Sequence, residues 1–461
     1  MNLPNHTHVF FIGIGGAGMS ALAGLLHGHG VNVAGYDRSP GIMTDKLSHL
    51  GIQIVFEDSI NQIPAAWNCP TTLVVYTPAI PANSVLLNYF ANGGNRVMKR
   101  AQLMGELLKE TQILAIAGTH GKTTTSALLI HLLNASNIPA NALIGGYSIN
   151  IDGNFQSIPF ARFTVAEADE FDRSFLTLKP FVAVFNSLDA DHLDIYGTEE
   201  ELRKNYFYFA DTVRKDGFIL TAPGIEIPPV HPSIFSFGTE NSPCFARNIR
   251  SAEGKTYFTL IYNQETQGDF QLPMLGRHNV NNALAALAVC LKLGASISDL
   301  KDGLAQFKGV FRRMQLHVCR PEHIYYDDYA HHPTEIDAAV LALREAYPGR
   351  RLLGVFQPHL FSRTQDFWSN FQKSLSAFDE LILLEVYPAR EKAISGVSSL
   401  ELGRGIQGIK VHNATHSSLM LTLKTILQKG DVVLSIGAGD IDKHCSEMSN
   451  HLNQIQYAEL A

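Results

Sequence analysis

The chain contains a short glycine-rich stretch, "GTHGKTTT", at residues 118–125. The apolar run "ILAIA" precedes it and the helix-like run "SALLIHLL" follows it, the strand–loop–helix order of a phosphate-binding loop. Its two glycines allow backbone N–H groups to face phosphate oxygens, while Lys122 can reach the β- and γ-phosphates and Thr123 can hold Mg²⁺. The usual pattern G-x-x-x-x-G-K-[ST] needs glycine where this chain has Ile116, so the loop is two residues shorter. We interpret it as a site for a nucleoside triphosphate.

A second glycine-rich turn lies near the N-terminus, where residues 13–18 read "GIGGAG". This pattern fits G-x-G-x-x-G, and Asp37 follows the next predicted strand at a distance suited to a ribose contact. The glycines permit close approach of a pyrophosphate to a helix N-terminus, which suits a nicotinamide dinucleotide or another diphosphate such as a UDP-sugar. A tight turn without a ligand is the third interpretation.

Two acidic runs follow predicted strands: "EADEFD" at residues 167–172 and "DADHLD" at residues 189–194. Carboxylates in such positions suit a hard cation such as Mg²⁺. His192 lies within the second run, and by itself it is either a ligand or a solvated loop residue.

The segment "GRHNVNNALAALA" places His278 and Asn279 just before an alanine-rich helix. Asn279 is either the N-cap of that helix or a contact for a nucleotide base.

Further polar residues lie late in the chain. Arg312 and Arg313 form either an anion clamp or a solvated basic pair. The runs "YYDDYAHHPTEI" and "FQPHLFSRTQ" place aspartates, histidines and an arginine directly after predicted strands. Such side chains can act as base, acid or orienting group.

The elements that must position these residues alternate between apolar strands and amphipathic helices along the whole chain. This alternation predicts an α/β fold of largely parallel sheets covered on both faces. We expect three domains, at residues 1–108, 109–314 and 315–461. The first and third are predicted to be Rossmann-like, and the second to be a P-loop ATPase domain. Because ligands bind at the carboxyl ends of parallel strands, the polar residues that follow strands are the candidates for a cleft.

The composition is that of a soluble globular protein: 461 residues, 46% hydrophobic and 17% charged, with a net charge of −7. The negative balance argues against a nucleic-acid partner. Five scattered cysteines without a C-x-x-C pair argue against a disulfide framework. Neither a signal peptide nor a membrane-spanning run is expected, so we predict a cytoplasmic protein without a membrane partner.

Taken together, "GTHGKTTT", "EADE", "DADHLD", "GRHNVNNALAA", "FRRMQ", "DDYAHHPTEI" and "FQPH…SRT" resemble the Mur ligases in order and spacing, from about residue 9 to 440. The shortened loop G-x-x-G-K-T is the form found in that family. The resemblance implies ATP-dependent ligation of L-alanine to UDP-N-acetylmuramate through an acyl phosphate, in peptidoglycan precursor synthesis. The N-terminal domain would bind the UDP-sugar, the central domain ATP and Mg²⁺, and the C-terminal domain would help to bind the amino acid.

The resemblance also implies roles for individual residues. The candidates for catalysis are Lys122, Arg313, Asp328, His332, His359 and Arg363. Those for ATP binding are Gly118, Thr119, His120, Gly121, Lys122, Thr123, Thr124, His278 and Asn279. The candidate metal ligands are Thr123, Glu167 and His192. The candidates for UDP-sugar binding are Gly15, Gly16, Ala17, Gly18, Met19, Ser20 and Asp37.

Three other functions were weighed against this one. A murein-peptide ligase would join a recycled tripeptide to the same nucleotide sugar, but "GIGGAGMSA" resembles the alanine-adding enzymes better. A nicotinamide-dependent oxidoreductase would leave "GTHGKTTT" unexplained, and a nucleotide sensor without turnover would need broken site residues. We expect a monomer or a weak homodimer.

Overall fold

The computed structural model describes residues 8–171, 173–189, 193–389 and 391–455. The chain divides into two compact units. The first comprises Met1–Arg247, Thr259–Phe270 and Asn281–Val310, and the second comprises Asn248–Phe258, Gln271–Val280 and Phe311–Ala461.

The first sheet of unit 1 has five parallel strands in the order β3-β2-β1-β4-β5. Its strands are β1 (His8–Ile12), β2 (Asn32–Tyr36), β3 (Gln53–Val55), β4 (Leu73–Tyr76) and β5 (Val97–Lys99). Its helices are α1 (Ala17–Gly28), α2 (Ile42–His49), α3 (Val85–Asn92) and α4 (Arg100–Leu107). The strand order reverses between β1 and β4, so the glycine-rich turn after β1 lies at the topological switch point where ligands bind.

The second sheet of unit 1 has seven strands in the order β12-β11-β10-β6-β9-β7-β8. The strands are β6 (Gln112–Ala117), β7 (Ala140–Ser148), β8 (Gly153–Gln156), β9 (Phe163–Ala168), β10 (Val182–Phe185), β11 (Phe218–Thr221) and β12 (Ile234–Ser236). The pairing is parallel except for β8, which runs antiparallel to β7. The helices that follow along the chain are α5 (Lys122–Ala135), α6 (Leu193–Tyr196), α7 (Glu199–Asp211), α8 (Arg277–Lys292) and α9 (Ile297–Ala305).

A small three-stranded sheet is formed by β13 (Cys244–Ala252), β14 (Lys255–Tyr262) and β15 (Glu265–Leu272). The sheet of unit 2 has the order β16-β17-β21-β18-β19-β20, with β16 antiparallel to β17 and the rest parallel. Its strands are β16 (Gln315–Cys319), β17 (Ile324–Asp328), β18 (Leu352–Phe356), β19 (Glu380–Leu384), β20 (Lys410–Ala414) and β21 (Val432–Ile436). Its helices are α10 (Pro333–Ala346), α11 (Phe361–Asp366), α12 (Trp368–Leu375), α13 (Ser399–Arg404), α14 (Leu419–Ile426) and α15 (Cys445–Gln454).

The central strands are apolar along their whole length because helices cover both faces of each sheet. β10, β18 and β21 are buried at every position. In unit 1, one continuous core cluster contains side chains from both sheets, such as Phe11 and Val75 of the first sheet and Ala115 and Phe185 of the second. The two sheets of unit 1 therefore share a core.

Helix α1 is fixed to the second sheet by the β7–β8 hairpin. The buried Asn154 donates hydrogen bonds from Nδ2 to Ala17 O at 2.7 Å and to Ser20 Oγ at 2.9 Å. A Cβ atom on Gly24 would lie 2.2 Å from the Phe155 ring, so a glycine is needed where the hairpin crosses the helix. The hairpin thus holds the start of α1, and with it the first glycine-rich turn, in a defined place within unit 1.

The predicted α/β fold class is confirmed, since each of the three main sheets is largely parallel. Pro333 occupies the first turn of α10, as its position before an amphipathic segment predicts. The short strands β3 and β5 were not predicted, because three residues carry too little periodicity. The three domain boundaries stay predictions. Within the described ranges, no helix is both long and apolar enough to cross a membrane.

We expect Gly217→Ala to destabilise unit 1. A Cβ atom at this position would lie 1.8 Å from the backbone carbonyl oxygen of Phe181, which precedes β10 and cannot move without disturbing the sheet. Overpacking of this kind costs about 1–3 kcal/mol. Gly41→Ala is the matched control, because its backbone is extended and nothing lies within 4 Å of an added Cβ. Thermal unfolding should show a lower midpoint for Gly217→Ala alone, and equal midpoints would contradict this packing.

Candidate active site

The phosphate-binding loop connects β6 to α5 at the carboxyl edge of the second sheet. Gly118 has φ = +125° and Gly121 has φ = +79°, conformations that residues with a Cβ rarely adopt. Gly121 is the N-cap of α5, so the first amides of this helix face the loop. Free amides and the helix dipole together make such a turn a binding site for phosphate.

The two glycines are also required by close neighbours. A Cβ on Gly118 would lie 2.7 Å from the Ser187 amide nitrogen, in the segment that follows β10. A Cβ on Gly121 would lie 2.5 Å from Asn282 Oδ1 on α8. The loop is therefore packed against two further parts of unit 1, which fixes its shape.

The Lys122 ammonium group is enclosed by the loop and by an acidic partner. Its Nζ donates to Gly118 O at 2.7 Å and to the two carboxylate oxygens of Glu170 at 2.9 and 2.8 Å. The Glu170 side chain is 2% exposed. Burial lowers the pKa of Lys122, but the attraction of Glu170 outweighs it, so the pKa lies above its ordinary value. Lys122 is therefore a positive charge at the loop at any physiological pH.

A second pair lies beside the lysine. Thr123 Oγ1 donates to Glu167 Oε2 at 3.2 Å, and Gly145 N donates to Glu167 Oε1 at 2.6 Å. Burial raises the pKa of Glu167, and the Gly145 hydrogen bond and the Lys122 charge only partly offset this. A carboxylate and a hydroxyl in contact at the end of β9 are a donor set that fits Mg²⁺.

The remaining predicted metal ligand, His192, lies outside the described residues, as do Asp172 and Asp191.

The other loop residues contact the segment after β10. Thr119 Oγ1 donates to Asp189 O at 2.7 Å, and His120 N donates to Ser187 Oγ at 2.7 Å. His120 Nε2 lies 3.5 Å from Asp189 Oδ2. Thr124 is 4% exposed, so its side chain faces the interior of unit 1. Any contact of Thr124 with a nucleotide would come from its backbone.

The first glycine-rich turn is held by Asp37. Gly15 N donates to Asp37 Oδ2 at 2.7 Å, and a Cβ on Gly15 would lie 2.8 Å from that same oxygen. This contact explains the glycine and uses one Asp37 oxygen within the protein. The predicted contact of Asp37 with a ribose stays a prediction.

The start of α1 divides the remaining turn residues into two groups. Among the described hydrogen bonds, none uses the backbone N–H of Ala17 or Gly18, whereas those of Met19 and Ser20 are donated to Gly16 O. The side chains of Met19 and Ser20 are both 1% exposed. The first amides of the helix are therefore the part of this turn that suits an anionic ligand.

His278 and Asn279 lie in the first turn of α8, and this turn is assigned to unit 2 while the helix from Asn281 onward is assigned to unit 1. The N-cap interpretation of Asn279 is wrong, because the helix begins at Arg277 and Asn279 is its third residue. Its Nδ2 donates to Leu275 O at 2.8 Å. Burial lowers the pKa of His278 to about 4, which makes this imidazole neutral at pH 7. The predicted adenine contact stays a prediction.

Arg312 and Arg313 have different environments, contrary to both interpretations of them as a pair. Arg312 is 6% exposed, and its Nε donates to Asp327 Oδ2 at 3.0 Å. It also donates to the carbonyl oxygens of Gly437 and Gly439, so it fixes the turn after β21. Arg313 is more exposed and lies over the Tyr329 ring, 5.1 Å from its centroid. Arg313 is the member of the pair that a ligand can reach.

Asp328 anchors the loop after β17. Its carboxylate accepts hydrogen bonds from Met314 N at 2.6 Å and from Ala330 N at 2.7 Å. Burial raises its pKa to about 6, against the opposing charge of Arg313. Asp328 therefore holds in place the backbone that directly follows Arg313 and the backbone that directly follows Tyr329.

His332 is the N-cap of α10, and its Nδ1 accepts a hydrogen bond from Thr334 N at 3.3 Å. Its ring packs edge-on against Phe367, with centroids 4.5 Å apart. A structural role in capping α10 therefore accompanies the predicted catalytic one.

His359 and Arg363 lie together after β18. Arg363 Nη1 and His359 Nδ1 are 3.4 Å apart, and the His359 ring stacks on Tyr387. Burial, with the nearby His331 and Arg363, lowers the pKa of His359 to about 4. The C-terminal site thus contains a neutral imidazole beside a guanidinium.

Several residues of the loop site were not singled out from the sequence. Glu170 is the partner of Lys122, and Gly145 is the glycine that approaches Glu167. The polar residues closest to the loop glycines are Asn186, Ser187 and Asn282. Glu170 belongs to the acidic run that follows β9, and Asn186 and Ser187 directly follow β10. The rule that ligands bind at the carboxyl ends of strands could have found these three.

A glycine-rich loop with a buried lysine, on a largely parallel sheet, defines a nucleoside-triphosphate-binding protein of the P-loop class. Three family descriptions match consecutive parts of the chain: "Mur ligase family, catalytic domain" at residues 8–112, "Mur ligase middle domain" at 116–290 and "Mur ligase, glutamate ligase domain" at 312–439. The chain belongs to the Mur ligase family.

Similar proteins support this assignment. The UDP-N-acetylmuramate–L-alanine ligase of Porphyromonas gingivalis is 42% identical over 456 residues, covering 97% of this chain and 99% of its own. That of Flavobacterium psychrophilum is 43% identical over 460 residues, covering 98% and 100%. The crystal structure of the UDP-N-acetylmuramate–alanine ligase of Thermotoga maritima superposes with a TM-score of 0.81 at 25% identity, covering 97% and 99%.

We expect the unfolding free energy to depend on pH through Asp328. The native state keeps this proton up to about pH 6, whereas the unfolded chain loses it near pH 4. The native state thus binds more protons in this window, so its stability falls as the pH rises from 4 to 6, by up to about 3 kcal/mol.

The check is the stability difference between the wild type and Asp328→Asn, measured by urea unfolding from pH 4 to 7. The unfolding free energy of the wild type should fall relative to that of Asp328→Asn as the pH rises. The exposed Asp337→Asn on α10 is the control. A difference that stays constant over this range would contradict the burial of an ionisable Asp328.

Proposed function

We propose that this chain joins L-alanine to UDP-N-acetylmuramate in an ATP-dependent reaction that passes through an acyl phosphate. The observation that carries the proposal is the phosphate loop, with Lys122 held in a buried ion pair beside Thr123 and Glu167. Identities of 42–43% to L-alanine ligases over nearly the whole chain support L-alanine as the amine. ATP as a substrate favours the cytoplasm as the place of the reaction.

In the first step, a carboxylate oxygen of the lactyl group attacks the γ-phosphorus in line, and ADP leaves. Charge accumulates on the transferring group, and stabilising that charge is the main task of the protein. Lys122 and the backbone amides of Gly121, Lys122 and Thr123 at the start of α5 are suited to this task. Glu170 orients the lysine and keeps it charged.

Thr123 and Glu167 would hold a Mg²⁺ ion, with His192 as a further predicted ligand. When bound, Mg²⁺ offsets negative charge on the β- and γ-phosphate oxygens.

In the second step, the neutral α-amine of alanine attacks the acyl carbon, and inorganic phosphate leaves. Arg313 and Arg363 are the cations suited to the tetrahedral species and the departing phosphate. The attacking nitrogen must lose a proton, and at pH 7 both His359 and Asp328 are in forms that accept one. His332 completes the set of candidates in unit 2.

The remaining candidate residues bind the two nucleotides. His278 and Asn279 are suited to the adenine of ATP. The first glycine-rich turn, from Gly15 to Gly18, is suited to the diphosphate of the UDP-sugar through the amides of Ala17 and Gly18. This assignment accounts for the pattern G-x-G-x-x-G without a nicotinamide cofactor.

The test is phosphate release with ATP, UDP-N-acetylmuramate and one amine at a time. L-Alanine should give the highest kcat/KM among L-alanine, glycine, L-serine and the tripeptide L-alanyl-γ-D-glutamyl-meso-diaminopimelate. The kcat/KM for glycine should be lower than that for L-alanine by about 10–200-fold, since one methyl group is worth about 1–3 kcal/mol in a pocket. Faster turnover of the tripeptide would transfer the assignment to a murein-peptide ligase. Absence of release with every amine would overturn ligation itself.

Glu167→Gln should raise the Mg²⁺ concentration required for half-maximal activity by about tenfold or more. The substitution removes an anionic oxygen ligand, and even outer partners of metal ligands are worth about 10–100-fold in affinity. The control is Glu200→Gln, an exposed carboxylate on α7. A Mg²⁺ titration that superposes on that of the wild type would exclude Glu167 as a ligand.

A further inference from the structure

Three side chains with metal-binding atoms lie together in unit 2. His317 on β16, Asp327 on β17 and Cys445 at the start of α15 each present one such atom, and the three atoms lie within 4.8 Å of one another. Asp327 and Cys445 are buried, whereas His317 is half-buried and reached by solvent. An imidazole, a carboxylate and a thiol are the donor types of zinc sites.

His317 is placed by an irregularity in the sheet. The register of β16 against β17 shifts between Leu316 and Val318, so His317 is the extra residue of a β-bulge. Such bulges re-aim a side chain. The imidazole stacks on the Tyr325 ring, with centroids 5.1 Å apart, and this contact fixes the plane of the ring.

The imidazole of His317 has an unused ligand atom. Its Nε2 is buried, yet no described residue forms a hydrogen bond with it. A buried polar atom without a partner costs about 1–3 kcal/mol, so its presence calls for an explanation, such as an ion. Burial lowers the pKa of His317, so the ring is neutral at pH 7, the form that binds a metal ion.

The carboxylate of Asp327 is oriented by two neighbours and keeps room for a cation. Its Oδ1 accepts a hydrogen bond from Ser435 Oγ at 2.7 Å, and its Oδ2 accepts one from Arg312 Nε at 3.0 Å. The two oxygens offer about four lone pairs, so each has one left. Ligating carboxylates are commonly hydrogen-bonded in this way. The charge of Arg312 is offset by a second carboxylate, since its Nη1 lies 3.9 Å from Asp442 Oδ2.

The Cys445 thiol faces the same group of polar atoms. Burial, with the charge of Asp327, raises the pKa of this thiol to about 12, although hydrogen bonds with Tyr325 and Ser435 oppose the shift. The thiol is therefore protonated at pH 7 when no metal ion is bound. Formation of a sulfur–metal bond would release that proton to solvent.

We propose that His317, Asp327 and Cys445 bind one Zn²⁺ ion, which connects the start of α15 to β16 and β17. The thiolate and the imidazole select Zn²⁺ over Mg²⁺, which prefers oxygen ligands. Three protein ligands leave a fourth position for water, which the half-buried His317 side makes accessible. The site is independent of the proposed reaction, because Thr123 and Glu167 belong to unit 1 and supply no sulfur.

The experiment uses Co²⁺ as a spectroscopic substitute for Zn²⁺. A bond between Co²⁺ and a thiolate gives an intense near-ultraviolet charge-transfer band, which ligation by oxygen alone does not give. The full-length protein is freed of metal with a chelator, supplied with excess Mg²⁺ and titrated with Co²⁺. The wild type should develop the band up to one Co²⁺ per chain. Zn²⁺ should then abolish the band, because it binds such sites more tightly than Co²⁺.

Substitutions of two ligands test the assignment. Cys445→Ser should remove the band, and both Cys445→Ser and His317→Ala should weaken Zn²⁺ binding by about 100-fold or more, since even outer partners of ligands are worth about 10–100-fold. Cys319→Ser is the matched control, because Cys319 is an exposed cysteine on the same strand as His317. Zn²⁺ should raise the thermal unfolding midpoint of the wild type and of Cys319→Ser, but not of the two ligand variants.

The outcomes keep this inference apart from the proposed function. A wild type without a cobalt–thiolate band would overturn the metal site, and so would a band that persists in Cys445→Ser or disappears in Cys319→Ser. If Cys445→Ser folds poorly, unchanged Zn²⁺ affinity in His317→Ala would overturn it as well. Phosphate release by the metal-free protein is measured with ATP, Mg²⁺, UDP-N-acetylmuramate and L-alanine. Its absence would contradict the ligase proposal and not the zinc site.

Discussion

The loop site depends on one buried ion pair, between Lys122 and Glu170. The lysine side chain is only 14% exposed, and the nearly fully buried carboxylate of Glu170, 2.8 Å away, is the main group that keeps it charged. Glu170 stands at the end of β9 and Lys122 at the start of α5. The pair therefore joins the start of α5, where the loop ends, to the segment after β9, the strand that pairs with β6.

Glycines surround this ion pair at the positions where neighbouring segments approach closely. Gly118 and Gly121 let the loop backbone lie against Ser187 and Asn282 without a Cβ in between. Gly145 allows β7 to approach Glu167 in the same way. A charge held this tightly needs little reorganisation when negative charge develops on a transferring phosphoryl group, which is how preorganised sites lower a barrier.

In unit 2, buried polar groups hold backbone segments in place. Arg312 and Asp327 form a buried pair that fixes the turn after β21, and Asp328 fixes the backbone at Met314, which directly follows Arg313, and at Ala330. These groups hold backbone, so the half-buried Arg313 lies on a rigid support. Arg312 and Arg313 differ in exposure because Arg312 is buried with the groups that it holds in place.

The sequence by itself determined the α/β fold class, the phosphate loop and the family, because apolar strand runs and glycine–lysine spacing are local patterns. It also indicated Thr123 and Glu167 as candidates, since Thr123 follows the loop lysine and Glu167 belongs to an acidic run at the end of a predicted strand. Only the tertiary structure decided that Glu170 pairs with Lys122, that Arg312 is buried while Arg313 is not, and that Asn154 contacts the start of α1. These contacts join residues far apart in the chain, and packing between elements, which leaves no local pattern, selects them.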